Sequence, residues 1–222
     1  ITLLTLPGRH WKWRMHGGAV TLARLFLERQ LQPDLILTTD MLDLTTFLAL
    51  TREKTANIPV AVYFHENQLT YPWSPDDKDT TQQRDNHYSF INFTSALAAN
   101  KVFFNSAYHR RSFLDALPGF LKQFPDHNEL ETVKQLEQKS EVLHLGMDLQ
   151  RLETLKPDKV EWYPRALLVW NHRWEYDKNP EALFGALFEL QERGVDFRLA
   201  VLGEQYENSP AIFDEAKERL LE

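Results

Sequence analysis

The sequence of 222 residues predicts an α/β protein with parallel sheets, organised as one domain followed by the start of a second. Short apolar runs alternate along the chain with amphipathic helical stretches, which is the pattern of repeated strand–helix–strand units. The run Val60–Phe64 is apolar at every position, as is typical of a strand that is buried on both faces of a parallel sheet. We therefore expect a doubly wound parallel sheet in the first domain.

The composition is that of a globular protein and excludes several other classes. Hydrophobic residues make up 43% and charged residues 26% of the chain, which excludes collagen-like and disordered sequences. Charged residues interrupt every long apolar run, so no membrane association is expected. The absence of cysteine excludes disulfides and thiol nucleophiles and is compatible with the cytoplasm, where we expect the protein. A net charge of -7 excludes a uniformly basic nucleic-acid surface but leaves room for a local basic patch.

The first domain is predicted to contain five strands and the helices that connect them. The predicted strands are Ile1–Leu6, Leu35–Thr38, Ile58–Phe64, Lys101–Asn105 and Val142–Leu145. Apolar residues at helical spacing predict one helix that includes Leu22, Leu25 and Phe26, and further helices over Met41–Arg52, His87–Ala99 and Tyr108–Leu117. Residues 126–139 are rich in Glu, Gln and Lys and predict an exposed helix.

The predicted domains are residues 1–148 and 165–222, joined by a linker at 149–164 that shows no clear period. The second domain begins with a strand at Arg165–Trp170, continues with a helix from Pro180 that Asn179 caps, and reaches a strand at Phe197–Leu202. One face of that helix carries Leu183, Phe184, Leu187 and Phe188. We expect both domains to be incomplete in this segment, with a strand upstream of Ile1.

A first candidate site follows the strand that ends at Phe64. Ligands of open parallel sheets bind beyond the carboxyl ends of the strands, and His65, Glu66 and Asn67 occupy that place here. A zinc-protease motif would need a second histidine four residues after the first, but Leu69 stands there. The alternative is a structural one, in which His65 and Glu66 only hydrogen-bond the following loop.

A second candidate site lies between the strand ending at Trp170 and the helix beginning at Pro180. Arg173 and Lys178 flank a helix N-terminus, where they could bind a diphosphate, and Asn171 precedes them. The alternative is that both cations pair with the neighbouring acids of the same turn, Glu175 and Asp177. A third place, Gly203 and Glu204, follows the next strand, where backbone approaches a ligand in nucleotide-binding folds.

The fourth candidate is the basic amino-terminal region. Residues 1–27 contain four basic residues and no carboxylate, although the whole chain is acidic. The basic side chains are Arg9, Lys12, Arg14 and Arg24. Together with Trp11 and Trp13 they suit a polyanion that carries stackable rings, because cations meet phosphates and indole faces meet bases or sugars. The alternative is a solvated loop whose two tryptophans pack on the core.

Two stretches resemble a known family. Leu-Pro-Gly-Arg-His-Trp-Lys-Trp-Arg-Met-His-Gly-Gly at 6–18 and Phe-His-Glu-Asn-Gln-Leu-Thr-Tyr-Pro-Trp at 64–73 resemble the glycosyltransferase-like family that includes tRNA-queuosine alpha-mannosyltransferase. The predicted pair of Rossmann-like domains, with a hinge after 145–148 and an Arg-Lys turn in the second, resembles retaining glycosyltransferases of the GT-B type. The resemblance extends over nearly the whole chain.

The resemblance implies an enzyme that moves mannose from GDP-mannose to queuosine in a tRNA anticodon, with retention of the anomeric configuration. It implies catalytic roles for His65 beside the sugar and for Arg173 and Lys178 on the diphosphate. The implied donor contacts are Asn171, Arg173, Lys178, Gly203 and Glu204, and the implied acceptor contacts are Arg9, Trp11, Lys12, Trp13, Arg14, Glu66 and Asn67. No cofactor and no metal are expected, because the nucleotide-sugar is a co-substrate and glycosyltransferases of the GT-B type generally work without a bound metal.

Two alternatives to this function are compatible with the sequence. One is a GT-B glycosyltransferase with another sugar donor and a small-molecule, glycan or lipid acceptor, which would not need the basic region. The other is a non-catalytic module of the same fold that binds nucleotide or RNA. Where a Gly-x-Gly often follows the strand of the second domain, this chain has Gly203-Glu-Gln205, so the donor is inferred from the family alone.

Overall fold

The computed structural model describes residues 1–8, 10–73, 86–156, 164–205 and 209–220. Their contacts divide the chain into two compact units, one reaching Met147 and the other beginning at Asp148. Both units have the predicted α/β class with parallel strands. Each unit is therefore described by itself.

The sheet of the first unit has four parallel strands in the order β1-β2-β3-β4. Their bounds are Ile36–Thr39 for β1, Val60–Phe64 for β2, Lys101–Phe104 for β3 and Ser140–Val142 for β4. All five residues of β2 are buried, as its continuous apolar sequence predicts. Because the strands follow chain order, the reversal of a doubly wound sheet is not found among the described strands.

Five helices accompany this sheet in the described part of the first unit. They are α1 at Trp11–Glu28, α2 at Leu44–Thr55, α3 at Asn86–Ala98, α4 at Ala107–Leu121 and α5 at Glu131–Lys139. The side chains of Asp43 and Ser106 cap α2 and α4 by accepting main-chain N–H groups of Thr46 and His109. The mostly polar α5 buries Leu136 alone.

A cluster of aromatic side chains fixes the carboxyl ends of β2 and β3. The Phe64 and Phe104 rings stack with centroids 5.0 Å apart, and Phe113 of α4 packs against both at 5.1 and 5.4 Å. All three are fully buried, so the residues that follow the two strands start from a rigid base. This rigidity matters because His65 and Asn105 are the next residues along the chain.

The amino-terminal region differs from the prediction. The predicted strand Ile1–Leu6 is wrong, since no strand among the described residues pairs with it. Its apolar side chains serve packing instead: Leu4 packs against the core, and a Leu6 methyl lies beside Gly18. The helix predicted around Leu22 begins much earlier, at Trp11. Its first half includes Gly17 and Gly18, and glycine usually weakens a helix.

The second unit contains two parallel strands and the helices around them. These are α6 at Leu149–Thr154, β5 at Ala166–Asn171, a 3-10 turn at Tyr176–Lys178, α7 at Pro180–Glu192, β6 at Phe197–Leu202 and α8 at Ile212–Leu220. The predicted face of α7 is confirmed, with Phe184, Leu187 and Phe188 buried against Trp170 and Phe213 and with Leu183 partly buried. None of the described helices in either unit is long and apolar enough to cross a bilayer.

Two local expectations in this unit need correction. The predicted linker at 149–164 contains helix α6, which Asp148 caps by accepting the Arg151 N–H, while residues 157–163 lie outside the described part. A six-residue helix is too short to show an apolar period, so the sequence did not predict it. Asn179 occupies the position before α7, but its backbone is left-handed (φ 53°) and its side chain makes no capping bond.

The tight contact at Gly203 carries a stability prediction. Gly203 has φ 118°, and a Cβ there would overlap the carbonyl oxygen of His172. We expect Gly203→Ala to lower the free energy of unfolding by about 1–3 kcal/mol, measured by urea denaturation. The control is Gly185→Ala in α7, where a Cβ meets nothing within 4 Å and alanine favours the helix. Equal stability of the two variants would contradict the prediction.

Candidate functional site

Three polar residues lie side by side at the carboxyl edge of the first sheet. Asp40, His65 and Asn105 directly follow β1, β2 and β3. The His65 main-chain N–H donates to Asp40 Oδ1 at 3.0 Å, and Asn105 Nδ2 donates to the His65 carbonyl oxygen at 2.8 Å. The backbone of His65 is therefore held from both neighbouring strands, while half of its side chain remains exposed.

The carboxylate of Asp40 is buried and fixed in place. Its residue is 2% exposed, and Oδ1 also lies 3.5 Å from His65 Nδ1. Burial raises the pKa of Asp40, although the hydrogen bond from the His65 N–H opposes that rise. The Asp40 main chain donates to Tyr63 at 3.2 Å and accepts from Asn92 Nδ2 at 2.9 Å. These bonds leave the carboxylate little freedom to turn away from His65.

Asn105 connects His65 to two further histidines. Its Oδ1 lies 3.0 Å from His109 Nδ1, and its main-chain oxygen lies 3.0 Å from His144 Nδ1. Burial lowers the pKa of His109, and the charge of His65 lowers it further. The Asn105 amide nitrogen donates to His65, so the atom that faces His109 is the amide oxygen, which can only accept a hydrogen bond. Neutral His109 therefore carries its proton on Nδ1. Buried His109 Nε2 has no hydrogen-bond partner in the described structure.

The loop after His65 gives different environments to the two predicted acceptor residues. Asn67 is 3% exposed, and its Oδ1 accepts the main-chain N–H groups of Leu69 and Thr70 at 3.1 and 3.0 Å. That geometry makes Asn67 a support of the turn rather than a surface contact. Glu66 is only partly buried, and its Oε1 accepts from Gln68 Nε2 at 3.4 Å.

Trp11, Lys12, Trp13 and Arg14 lie in the first turns of α1, whereas Arg24 lies in its last turns. Trp13 is 63% exposed and Trp11 is 38% exposed, so the alternative in which both tryptophans pack on the core does not hold for Trp13. Lys12 Nζ lies 5.7 Å from the ring centroids of Trp11 and Trp73, which joins cation and indole at one surface. This arrangement is compatible with a polyanion that carries rings.

The two predicted arginines of this region have different outcomes. Arg14 Nε donates to the Pro7 carbonyl oxygen at 3.2 Å, so its guanidinium also anchors the segment that leads into α1. Arg9 lies outside the described residues. The phosphate-binding roles predicted for both stay predictions.

The candidate donor residues of the second unit lie at the carboxyl edge of its own sheet. Asn171 pairs with Leu202, so β5 and β6 end at the same level. The Trp174 N–H donates to the Glu204 carbonyl oxygen at 3.0 Å, which holds together the turns after the two strands. Gly203 is needed for the close backbone approach to His172, so the structure supplies a packing reason for that glycine.

The two cations of this turn are engaged by its acids. Arg173 Nη2 lies 3.1 Å from Glu175 Oε2, and Lys178 Nζ lies 2.7 Å from Asp177 Oδ2. The pairing that the sequence left as an alternative is therefore present. Arg173 keeps 52% of its side chain exposed against 29% for Lys178, so the arginine is the more accessible cation.

Sequence reasoning missed Asp40, Asn105 and His109. Asp40 and Asn105 directly follow the observed strands, but the predicted strands ended at Thr38 and included Asn105, so the signal that identified His65 did not point to them. His109 lies in the first turn of α4 and gives no such signal. Across the described ranges, no three His, Cys, Asp or Glu side chains are grouped closely enough to hold a metal ion.

Comparison with known proteins finds a family model, a curated relative and a solved structure among its matches. A family model described as tRNA-queuosine alpha-mannosyltransferase N-terminal matches residues 1–147. The tRNA-queuosine alpha-mannosyltransferase of Drosophila melanogaster is 35% identical over 224 aligned residues, covering 98% of this chain and 58% of the relative. The solved S. aureus MnaA-UDP co-structure aligns with 99% of this chain and 51% of that chain at 12% identity and a TM-score of 0.40. The chain thus spans somewhat more than half the length of its curated relative.

Proposed function

We propose a function from one premise: this chain belongs to the tRNA-queuosine alpha-mannosyltransferase family. The proposal is that the protein is a retaining glycosyltransferase of the GT-B type that moves mannose from GDP-mannose to queuosine in a tRNA anticodon. The observation that carries it is His65, held by Asp40 and Asn105 at the carboxyl edge of the sheet and half exposed. This histidine lies in the region that the family model matches.

On the donor side, the chemistry requires stabilisation of a leaving group. A nucleotide-sugar breaks its bond between the anomeric carbon and the diphosphate oxygen, and negative charge grows on the diphosphate as an oxocarbenium-like sugar forms. Arg173 and Lys178 would stabilise that charge, with the more exposed Arg173 turning from Glu175 toward the phosphates. The acceptor hydroxyl then attacks the same face of the sugar, which retains the configuration without a covalent enzyme intermediate.

His65 would contact the transferred sugar from the first unit. Its Nδ1 faces Asp40, so Nε2 is the ring nitrogen that can reach a ligand beyond the sheet edge. A role beside the sugar predicts that His65 affects the rate of transfer more than the affinity for nucleotide.

The acceptor would be the queuosine-containing tRNA, with the start of α1 as its contact surface. The observation behind this part of the proposal is the exposed Trp13 beside Lys12, in a region without carboxylates. Stacking and phosphate contacts are the usual means by which proteins hold unpaired nucleotides.

These two kinds of contact can be separated by salt. We expect Lys12→Ala to reduce the slope of log affinity against log salt by about one unit, because one phosphate contact is lost. We expect Trp13→Ala to cost about 1–3 kcal/mol of binding free energy with little change in slope. The measurement is a titration of labelled tRNA at several salt concentrations, with Arg24→Ala as the control because Arg24 pairs with Glu28 further along α1. Unchanged affinity and slope in both test variants would place the acceptor surface elsewhere.

The decisive test of the proposed function is product identity. The complete protein is incubated with queuosine-containing tRNA and one nucleotide-sugar at a time, among them GDP-mannose, GDP-glucose and UDP-glucose. The tRNA is then digested and the modified nucleoside is weighed. We expect one added hexose with GDP-mannose alone. Transfer from another donor would support the alternative glycosyltransferase, and nucleotide or RNA binding without transfer to any acceptor would support the non-catalytic module.

A further inference from the structure

We infer that Asp40 and Asn105 are positioning residues for His65: together they fix its backbone and set which ring nitrogen it presents to the ligand. The inference rests on the proposed function for its effect on catalysis, whereas the geometry of the clamp is independent of that function. Neither residue is expected to touch the substrate.

The Asp40 side of the clamp acts on both the backbone and the ring. Asp40 Oδ1 accepts the His65 main-chain N–H at 3.0 Å and lies 3.5 Å from Nδ1. A carboxylate beside Nδ1 favours a proton on that nitrogen, because the alternative tautomer would turn a lone pair toward negative charge. Neutral His65 is then left with a hydrogen-bond acceptor at Nε2.

On the Asn105 side, both polar atoms of the side-chain amide are hydrogen-bonded. Its Nδ2 donates to the His65 carbonyl oxygen at 2.8 Å, and its Oδ1 accepts from His109 Nδ1 at 3.0 Å. Turning the amide over would place its oxygen against the His65 carbonyl oxygen, which is repulsive because both atoms only accept hydrogen bonds. The His65 carbonyl oxygen therefore fixes the orientation of the Asn105 amide, and buried His109 donates to the oxygen of that amide.

The arrangement at Asp40 exceeds what a strand end requires. One main-chain N–H would be satisfied equally well by a neutral amide, which avoids the cost of burying a charge. Asp40→Asn preserves the shape and the acceptor for that N–H but removes the charge that faces Nδ1. A structural role and a positioning role consequently predict different results for this substitution.

The kinetic experiment uses the complete protein with GDP-mannose and queuosine-containing tRNA. We expect Asp40→Asn and Asn105→Ala each to lower kcat about 10- to 100-fold, the range for lost support of a functional ligand, with the Kd for GDP nearly unchanged. The matched control is Asp43→Ala, which removes a nearby carboxylate that caps α2. This control should lower the melting temperature without lowering kcat.

Histidine ring NMR provides a readout that needs no transferase activity. We expect neutral His65 in the wild type to carry its proton on Nδ1 and Asp40→Asn to shift the tautomer population toward Nε2, because the amide oxygen that replaces the carboxylate no longer places a negative charge beside Nδ1. A tautomer shift in a protein that transfers no mannose would support the clamp and refute the proposed function. Transfer by the wild type with unchanged kcat and unchanged tautomer in Asp40→Asn would overturn the inference.

Discussion

Arg173→Ala is expected to lower the rate of the proposed transfer by the complete protein about 100- to 1000-fold, the loss seen when one preorganised stabiliser of transition-state charge is removed. Arg173 is the more exposed cation of the turn after β5, and its partner, the partly buried Glu175, lies in the same turn. A diphosphate offers more negative charge than one carboxylate, so the guanidinium gains by changing partner as the leaving group departs. The measurement is the rate of mannose transfer at saturating donor.

Two comparisons make that result specific. Arg165→Ala removes another half-exposed arginine of the second unit, which pairs with Asp196 at 2.7 Å near the start of β5, and it should leave turnover unchanged. Glu175→Gln removes the partner of Arg173 and should also leave turnover largely intact. If Arg173→Ala and Glu175→Gln instead lower the melting temperature equally and neither changes turnover, the pair is only a surface ion pair and the diphosphate role is refuted.

The same experiment on Lys178 tests how much each of the two cations contributes to stabilising the diphosphate. Lys178 is the less exposed cation, and its partner Asp177 has a side chain only 5% exposed. Removing the lysine would take this ion pair from a carboxylate that is almost fully buried, so Lys178→Ala should cost stability as well as turnover. Circular dichroism and thermal melting separate the two effects.

Strands and helices with a buried face could be predicted from the sequence, because burial makes apolar residues recur at the spacing of the element. The continuous run of β2 and the apolar face of α7 identified elements that the structure confirms. Ile1–Leu6 has an equally apolar sequence but is not a strand here, because pairing depends on a neighbour that local sequence does not specify. An apolar sequence therefore predicts that a segment is buried, but it does not predict which strand the segment pairs with.

The candidate site shows the same limit in its polar residues. Strand ends located His65, but only the register of three parallel strands shows that Asp40 and Asn105 flank it. The sequence offered the ion pairs of Arg173 and Lys178 as one alternative, because both acids lie within the same turn. It could not show whether these pairs form. A short sequence spacing permits a contact, and the backbone path selects which contact forms.

His65→Ala is expected to lower kcat about 100- to 1000-fold, because a side chain that contacts the reacting sugar would be lost from a fixed position. The loss should fall on transfer rather than on folding. Half of the His65 side chain is exposed, and the two hydrogen bonds that hold the residue come from its main chain, which alanine retains. The Kd for GDP should therefore change little, since the first unit would contact the sugar rather than the nucleotide.

The assay for His65→Ala combines transfer kinetics, GDP titration and thermal melting on one preparation. The control is His127→Asn, which removes a histidine between α4 and α5 and replaces it with a residue that tolerates its φ of 44°. That control should have normal kcat. A fall of GDP affinity and kcat together, with a lower melting temperature in His65→Ala alone, would show that His65 supports the strand end and does not take part in transfer. Retention of GDP affinity and melting temperature with a large loss of kcat would support the placement of the imidazole at the reacting sugar.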